Sequence, residues 1–418
     1  MSVSIHLCLL LQAITALFCY NQMNISLRRM RFFKQDSLRM LSKIEKSFIM
    51  TNVQQQLDRL TTRGSLVEVL AEGALRCTAC AHRCVIKPGR RGICQVRFNQ
   101  DGELRVPWGY VAALQVDPVE KKPFSHFLPG SDALSFGMLG CDFHCGYCQN
   151  WITSQTLRDP RADQGANYLR EITPDQMVRI ARENQASILV STYNEPLITT
   201  EWAVDIFKRA KMAGMQCAFV SNGNATPEAL EMLRPYLSAY KIDLKSMQDK
   251  NYRKLGGVLK NVLDSIQKAH QLGLWVEVVT LVVPGFNDDP EELWDAARFL
   301  ASVSRDIPWH VTAYHPDYHM TENPNTPASA LQTAADIGQE AGLSYVYAGN
   351  LPGRVGSLEN TYCPQCSGLL VQRHGYVVQD YQITPQGACP SCGHAIAGIW
   401  PDQPNAVRLG GWGLPRRI

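Results

Sequence analysis

The 418-residue sequence has no large excess of either charge, no internal repeat, no low-complexity tract and only one long apolar run. Its formal net charge is +3, and residues 1–49 hold seven basic and two acidic residues. The remaining chain, with 34 basic and 36 acidic residues, is therefore close to neutral. This balance argues against an extended basic surface of the kind that binds nucleic acid or anionic membranes, so we expect neither as a partner.

The long apolar run, residues 5–20, lacks the preceding basic residues of a secretory signal and is short for a membrane span. Three interpretations stay open: a targeting segment, a membrane anchor, or non-native sequence upstream of a true start at Met50. The third is favoured, and residues 1–49 are treated as a doubtful N-terminal extension. We expect its removal to leave folding intact.

Cysteine, by contrast, is abundant, with 14 residues in the chain. Eleven of them fall in three tight groups, at residues 77–94, 141–148 and 363–392. Disulfide frameworks belong mostly to short secreted chains, whereas grouped thiols in a long chain are typical of metal sites. The sequence therefore predicts metal-binding thiolates in a reducing compartment, and we expect a cytoplasmic protein.

From residue 133 onward, short apolar runs alternate with helical patterns, which is typical of βα units on a parallel sheet. The predicted strands are 133–139, 188–193, 216–221, 239–244, 275–282 and 310–314. Capping residues followed by proline predict helix starts at Thr173-Pro174, Thr226-Pro227, Asp289-Pro290 and Thr326-Pro327. Six such strands make an α/β fold, either a partial (β/α)6 barrel or an open sheet of the same handedness.

The sequence Cys141-Asp-Phe-His-Cys145-Gly-Tyr-Cys148 follows the first predicted strand through Gly140. Ligands of parallel α/β folds bind where loops leave the carboxyl ends of the strands. Three thiolates on one loop can hold three irons of a [4Fe–4S] cluster and leave the fourth iron open, unlike the usual four-cysteine cluster. The alternatives are three buried thiols or a zinc site completed by His144, whose position next to Cys145 would strain joint chelation.

Polar residues also stand at the ends of the later predicted strands, where all of them could face one mouth. They are Asn194 and Glu195, Ser221 and Asn222, Asp243 and Lys245, and His315. Taken singly, each has an ordinary explanation, since Asn-Gly is a common turn and Asp243 could simply pair with Lys245. Their recurrence together with the cysteine motif favours a ligand site.

At these residues the sequence resembles the radical S-adenosylmethionine (SAM) superfamily, whose signature is CxxxCxxC with an aromatic residue, here Tyr147, before the last cysteine. More narrowly, it resembles the radical enzyme of the AmmeMemoRadiSam system, a relative of the pyruvate formate-lyase activating enzyme. Segments that carry this likeness include DPVEKKPFSHFLPG (117–130), STYNEPLI and WVEVVTLVVPGFNDD. The resemblance runs from about Cys77 to Trp400, which is most of the chain.

The resemblance implies a radical SAM barrel at residues 131–350, with a [4Fe–4S] cluster on Cys141, Cys145 and Cys148. One electron from the reduced cluster would cleave SAM to methionine and a 5′-deoxyadenosyl radical. The strand-end residues would then contact SAM, with Asp243 and Lys245 facing its methionine portion. An electron donor such as flavodoxin or ferredoxin is also implied, whereas the substrate is not.

Two further cysteine groups flank the predicted barrel. Within the C-terminal module, residues 351–418, Cys363, Cys366, Cys389 and Cys392 form a CPxC pair typical of a zinc ribbon. In the Cys-rich region at residues 50–130, Cys77, Cys80, Cys84 and Cys94 could bind zinc, hold an auxiliary iron–sulfur cluster or remain free thiols. Zinc is slightly favoured there.

Three functions are compatible with this pattern. The first is a radical enzyme that abstracts hydrogen from a partner protein of the glycyl-radical type, and the second acts on a small molecule or a modified side chain. The third is a metal-binding or nucleic-acid-binding scaffold that uses the zinc ribbon. The strand-end residues argue against the third, because a scaffold has no need of them.

Overall fold

The fold is built on a nine-stranded sheet, whose strands are labelled β1 to β9 in chain order. The computed structural model describes residues 53–411 and 413–418. The strands are β1 (Ala113–Pro118), β2 (Asp132–Gly137), β3 (Ile188–Ser191), β4 (Gln216–Ser221), β5 (Ala239–Asp243), β6 (Trp275–Val282), β7 (Trp309–Ala313), β8 (Val346–Gly349) and β9 (Arg416–Arg417). Their spatial order is β8-β7-β6-β5-β4-β3-β2-β1-β9. β2 to β8 are parallel, and β1 and β9 are antiparallel additions at one edge.

The six predicted strands correspond to β2 to β7, which confirms the parallel α/β core. β2, β3 and β7 are buried along their whole length, because helices cover one face of such a sheet and the interior of the barrel covers the other. The sequence did not predict β1 and β8. β1 carries Asp117 and Pro118, two residue types that are rare in strands, and β8 has only four residues.

Helices connect the parallel strands. Residues 53–59 are helical, and the α-helices that follow are Trp151–Ser154, Pro174–Glu183, Thr200–Met212, Pro227–Leu233, Asp249–Leu255, Leu259–Gln271, Pro290–Val303 and Ala328–Glu340. Short 3-10 helices are Ala71–Gly73, Val119–Lys121, Pro160–Tyr168, Pro196–Thr199, Gly356–Glu359 and Pro404–Ala406. Thr173, Thr226 and Asp289 cap their helices through side-chain oxygens, as predicted.

The fourth predicted helix is present, but Thr326 does not cap it. The helix begins at Ala328 after Pro327, and Pro327 offers no side-chain cap. The Thr326 hydroxyl instead donates to the carbonyl of Val282 and accepts from the backbone N–H of Tyr314 at 2.9 Å. Thr326 therefore ties the end of β6 to the residue that follows β7, because both strand ends leave backbone groups without a ladder partner.

Small antiparallel sheets flank the barrel. In the Cys-rich region the sheets are Thr61–Arg63 with Glu103–Pro107 and Phe98–Gln100, and Val67–Val69 with Leu75–Cys77 and Val85–Ile86. The strand Tyr110–Val111 of this region pairs with Arg170–Glu171, which lies beyond it. The C-terminal module contains Thr361–Tyr362, Leu369–His374 and Val377–Tyr381. The apolar run at residues 5–20 and the rest of the predicted extension lie outside the described residues. Among the helices of the described chain, none has the length and hydropathy needed to cross a membrane.

Candidate active site

The loop with the CxxxCxxC motif leaves the carboxyl end of β2 through Gly140, whose φ is +97°. A Cβ at this position would lie 2.9 Å from Val96 and 3.2 Å from the carbonyl oxygen of Cys94. Only glycine allows both this backbone conformation and this close approach. Gly140 therefore sets the loop directly against the Cys-rich region.

Two glycines that follow the helix Asp249–Leu255 also let this loop pack closely. A Cβ on Gly257 would lie 2.4 Å from the ring of Phe143, and one on Gly256 would lie 2.6 Å from His144. Phe143 is buried, whereas the side chain of His144 is exposed and Cys145 is buried. His144 therefore does not share the environment of the Cys145 thiol, which argues against a zinc site shared by the two.

The three loop thiols are buried or half-buried, and burial raises the pKa of Cys145 to about 12. Among the described residues, these three Sγ atoms do not form a group in which all lie within 4.8 Å of one another. Tetrahedral zinc with Zn–S bonds of about 2.3 Å would require thiolates about 3.8 Å apart. Each thiolate of an iron–sulfur cube binds a different iron, which requires a wider spacing. The three loop thiols therefore do not converge on a single tetrahedral ion as they stand.

Behind the loop, the carboxylate of Glu195 joins the ends of β3 and β4. It accepts hydrogen bonds from the backbone N–H of Asn222 at 2.7 Å, from the hydroxyl of Ser221 at 2.7 Å and from the backbone N–H of Leu197 at 3.0 Å. Burial raises the pKa of Glu195. The predicted residues Glu195, Ser221 and Asn222 therefore meet, although the contacts of Glu195 hold the strand ends together.

Sequence reasoning missed a second carboxylate in this network, that of Asp142. It is fully buried and accepts from the side-chain amides of Asn222 at 2.7 Å and Asn224 at 2.9 Å. The thiol of Cys141 lies 3.8 Å from it. The position of Asp142 between two motif cysteines was the only available signal, because its partners come from the end of another strand.

Asp243 and Lys245 extend from the end of β5, beside the cysteine loop. Asp243 pairs with Lys245 at 3.0 Å and also with Lys241, which sequence reasoning missed. Burial favours the neutral carboxyl of Asp243, but the two ammonium groups outweigh it and lower its pKa to about 2. Lys245 also acts on the Cys145 thiol, where it opposes part of the effect of burial on the pKa. The pair is therefore not a solvated surface pair, since the side chain of Lys245 is only 15% exposed.

The remaining two predicted residues, Asn194 and His315, contact the chain just before and just after the cysteine loop. Asn194 is buried, and its side-chain oxygen accepts from the backbone N–H of Met138 at 3.0 Å, just before the loop. His315 is exposed, and its Nε2 lies 2.9 Å from the side-chain nitrogen of Gln149, the residue after Cys148. The structure thus brings all seven strand-end residues to the same end of the barrel as the loop.

The C-terminal cysteines converge on one point. The four Sγ atoms of Cys363, Cys366, Cys389 and Cys392 lie within 4.8 Å of one another. The Cys363–Cys392 and Cys366–Cys389 distances are each 3.6 Å, close to the spacing of about 3.8 Å that a tetrahedral zinc ion requires. This quartet has the donor set of a closed structural metal site.

The remaining quartet surrounds a hairpin of the Cys-rich region. Cys77 ends one strand of this hairpin, and its backbone N–H donates to the carbonyl of Cys84 at 3.0 Å. Cys80 and Cys94 are buried like Cys77, and Cys84 is half-buried. The Cys77 thiolate would raise the pKa of each of the other three thiols, which indicates that the four lie near one another.

The chain is similar to several known proteins. Residues 137–300 match the family model of the Radical SAM superfamily. An uncharacterized protein of Methanocaldococcus jannaschii is 36% identical over 332 residues, which cover 79% of this chain and 97% of that protein. A pyruvate formate-lyase-activating enzyme of Staphylococcus epidermidis is 25% identical over 186 residues, 42% of this chain and 72% of the relative. A crystal structure of a domain of such an activating enzyme from Bacteroides vulgatus has 22% identity, covers 38% of this chain and 98% of that domain, and gives a TM-score of 0.34.

Proposed function

Because the chain belongs to the radical SAM superfamily, we propose that Cys141, Cys145 and Cys148 hold the [4Fe–4S] cluster that this family implies. The observation that carries the proposal is the loop itself, which brings three buried or half-buried thiols to the carboxyl end of β2. When bound, the cluster and SAM supply a one-electron cleavage that yields methionine and a 5′-deoxyadenosyl radical.

We further propose that the seven strand-end residues form the binding site for SAM. Asp243 carries a carboxylate that could accept from the ammonium of the methionine portion, and Lys245 could pair with its carboxylate. Glu195, Ser221 and Asn222 would act mainly by fixing the strand ends, since the Glu195 carboxylate already accepts from three protein donors. Asn194 would hold the backbone before the loop, and the exposed ring of His315 would close the outer side.

The proposed reaction is hydrogen abstraction from a partner protein of the glycyl-radical type. The likeness to pyruvate formate-lyase-activating enzymes supports this substrate class, and an electron donor such as flavodoxin or ferredoxin in the cytoplasm would reduce the cluster. A small molecule or modified side chain is the alternative. The 28% identity to a probable GTP 3′,8-cyclase of Pyrococcus abyssi, over 167 residues, favours that alternative for the shared segment.

Zinc is proposed for Cys363, Cys366, Cys389 and Cys392, where it would stabilise a module with a small core. The buried guanidinium of Arg373 donates to the carbonyl of Ser125 at 2.8 Å. Through this hydrogen bond, a folded C-terminal module would fix the segment that precedes β2. Its role would be structural.

The substrate class is tested with anaerobically reconstituted protein, SAM and a reductant. A glycine-containing partner protein should develop a glycyl radical signal in electron paramagnetic resonance (EPR) spectra, with one 5′-deoxyadenosine formed for each radical. If 5′-deoxyadenosine forms but no partner acquires the signal, while a small molecule accelerates its release, the alternative is correct.

A further inference from the structure

The segment 117–130 carries charged side chains that the proposed SAM chemistry does not use. The carboxylate of Asp117, in β1, is fully buried. It accepts hydrogen bonds from the ammonium of Lys121 at 2.9 Å, from the ammonium of Lys122 and from the hydroxyl of Tyr193 at 2.6 Å. We call these four residues the Asp117 cluster. Two ammonium groups share one carboxylate, so the cluster carries one positive charge in excess, and a buried charge is costly without a counter-ion.

The Asp117 cluster adjoins the inner face of the sheet. An apolar plug closes the amino-terminal part of this face, and it consists of Val119, Phe124, Phe127, Ala133, Ile188, Val190, Ala218 and Ala239. The opposite face packs on helices, for example through Phe219 against Phe207. Side chains two residues apart in a strand share a face, so Lys241 and Asp243 follow the last residue of the plug towards the carboxyl end of β5. Lys122, which belongs to the plug segment, therefore faces the same interior space as these two residues.

Lys122 is the more enclosed of the two cluster lysines. Its side chain is 3% exposed, and its Nζ lies 3.4 Å from the hydroxyl of Tyr193 in addition to its contact with Asp117. Burial lowers the pKa of Lys122 to about 8, and the ammonium group of Lys241 contributes to this lowering. An ammonium group has three N–H donors, so these two contacts leave one donor of Lys122 for a ligand. The side chain of Lys121 is 27% exposed and also has donors to offer.

Tyr193 connects the Asp117 cluster to the proposed SAM site. It directly precedes Asn194 and Glu195, and its φ of +69° is uncommon for a bulky residue. Its carbonyl accepts at 2.9 Å from the hydroxyl of Thr153, in the short helix that follows the cysteine loop, while its hydroxyl reaches Asp117. Backbone outliers of this kind cluster at ligand sites, where the surrounding structure holds them. One residue thus joins the surroundings of the cysteine loop to the charged interior of the barrel.

We propose that Lys121 and Lys122 bind a carboxylate group of the substrate inside the barrel, and that Asp117 and Tyr193 position Lys122. A carboxylate carries the single negative charge that the Asp117 cluster lacks, and two ammonium groups can donate to its two oxygens. The inference rests on the proposed function, because it names the substrate class of the same site. It applies to both candidate substrates, since the carboxylate can belong to an acidic side chain of a partner protein or to a small molecule.

The test uses the reconstituted full chain with acetate as the probe, at about pH 7, where Lys122 is protonated because its pKa is about 8. Saturation-transfer nuclear magnetic resonance should show that acetate binds and that acetamide, which is neutral and of the same shape, does not. Lys122→Met removes the charge and should weaken acetate binding by about ten- to a hundredfold, the effect of one charge-assisted hydrogen bond. Lys260→Met is the matched control and should bind acetate like the wild type, because Lys260 also pairs with an aspartate but is 78% exposed. Absence of binding to the wild type, or equal binding to Lys122→Met, would overturn the inference.

A second variant, Lys121→Met, keeps the test decisive if Lys122→Met does not fold, because the Lys121 side chain is partly exposed and Lys122 still pairs with Asp117. It should weaken acetate binding over the same range, and unchanged binding would contradict the inference. Where acetate binds as expected, its displacement by the blocked peptide acetyl-Asp-Gly-amide supports a protein source of the carboxylate, and a failure to displace it supports a small molecule. If the wild type forms no 5′-deoxyadenosine from SAM but binds acetate through Lys122, the proposed function fails and the carboxylate site stands. If 5′-deoxyadenosine forms but acetate does not bind, only this inference fails.

Discussion

The charge of Asp243 provides a sharp test of the proposed SAM site. Asp243 pairs with both Lys241 and Lys245, and these two ammonium groups keep it ionised, with a pKa of about 2. Asp243→Asn preserves the shape of the side chain and removes its negative charge. The change leaves Lys241 and Lys245 without their shared counter-ion, in a site proposed to bind a sulfonium cation.

The expected loss of affinity for SAM is that of one charge-assisted hydrogen bond. Such a bond contributes roughly 1.5–3 kcal/mol, and about 1.4 kcal/mol corresponds to a tenfold change in affinity. Asp243→Asn should therefore raise the Kd for SAM by about ten- to a hundredfold. The carboxylate is ionised at all pH values well above 2, and an α-ammonium group stays protonated below about pH 7, so the effect should be the same at about pH 5.5 and about pH 6.5.

The assay is calorimetric titration of SAM into protein whose iron and sulfide content equals that of the wild type. Asp264→Asn is the matched control, because Asp264 also pairs with a lysine, at 2.6 Å, but both side chains are more than half exposed. Exposed pairs of this kind contribute about 0–1 kcal/mol, and the Kd should not change. An unchanged Kd in cluster-loaded Asp243→Asn would refute the pocket assignment even if the radical chemistry is correct.

Three further predictions concern the supporting structure. Glu195→Gln should destabilise the protein by about 1–3 kcal/mol, measured by thermal denaturation, because at least one of three buried donors loses its acceptor. Gly257→Ala should reduce the iron bound after reconstitution, since its Cβ would lie 2.4 Å from the Phe143 ring. Burial lowers the pKa of His126 to about 4, below the value of about 6.5 in the unfolded chain. Between these two values the unfolded state binds a proton that the folded state does not. The free energy of unfolding should therefore fall by about 1.4 kcal/mol per pH unit as the pH falls from about 6.5 towards about 4. His126→Gln should therefore be less sensitive to pH over this range, and an identical pH dependence of Tm would contradict the assignment.

Much of the architecture could be predicted because its signals are local. The strands are short apolar runs, and Thr173, Thr226 and Asp289 cap their helices through neighbouring backbone groups. The cysteine loop was predictable for the same reason, since its spacing lies within eight residues. Thr326 also has a cap-like sequence, but two distant backbone groups compete for its hydroxyl.

The parts that sequence reasoning missed depend on contacts between distant segments. Asp117, in the unpredicted strand β1, is fully buried because Lys122 and the hydroxyl of Tyr193 neutralise and satisfy it. Asp142 likewise depends on amides from the end of β4. Such partners come together only when the sheet forms, and neither carboxylate has an apolar pattern that would place it in the interior.

The central claim is that the loop cysteines support reductive cleavage of SAM. Its most direct test is the 5′-deoxyadenosine formed by anaerobically reconstituted, dithionite-reduced protein, compared between the wild type and Cys145→Ala. Cys217→Ala is the matched control, because Cys217 is also buried but lies within β4 and outside the cysteine loop. The account predicts 5′-deoxyadenosine from the wild type and the control and none from Cys145→Ala. Formation of 5′-deoxyadenosine by Cys145→Ala at the wild-type rate would contradict it.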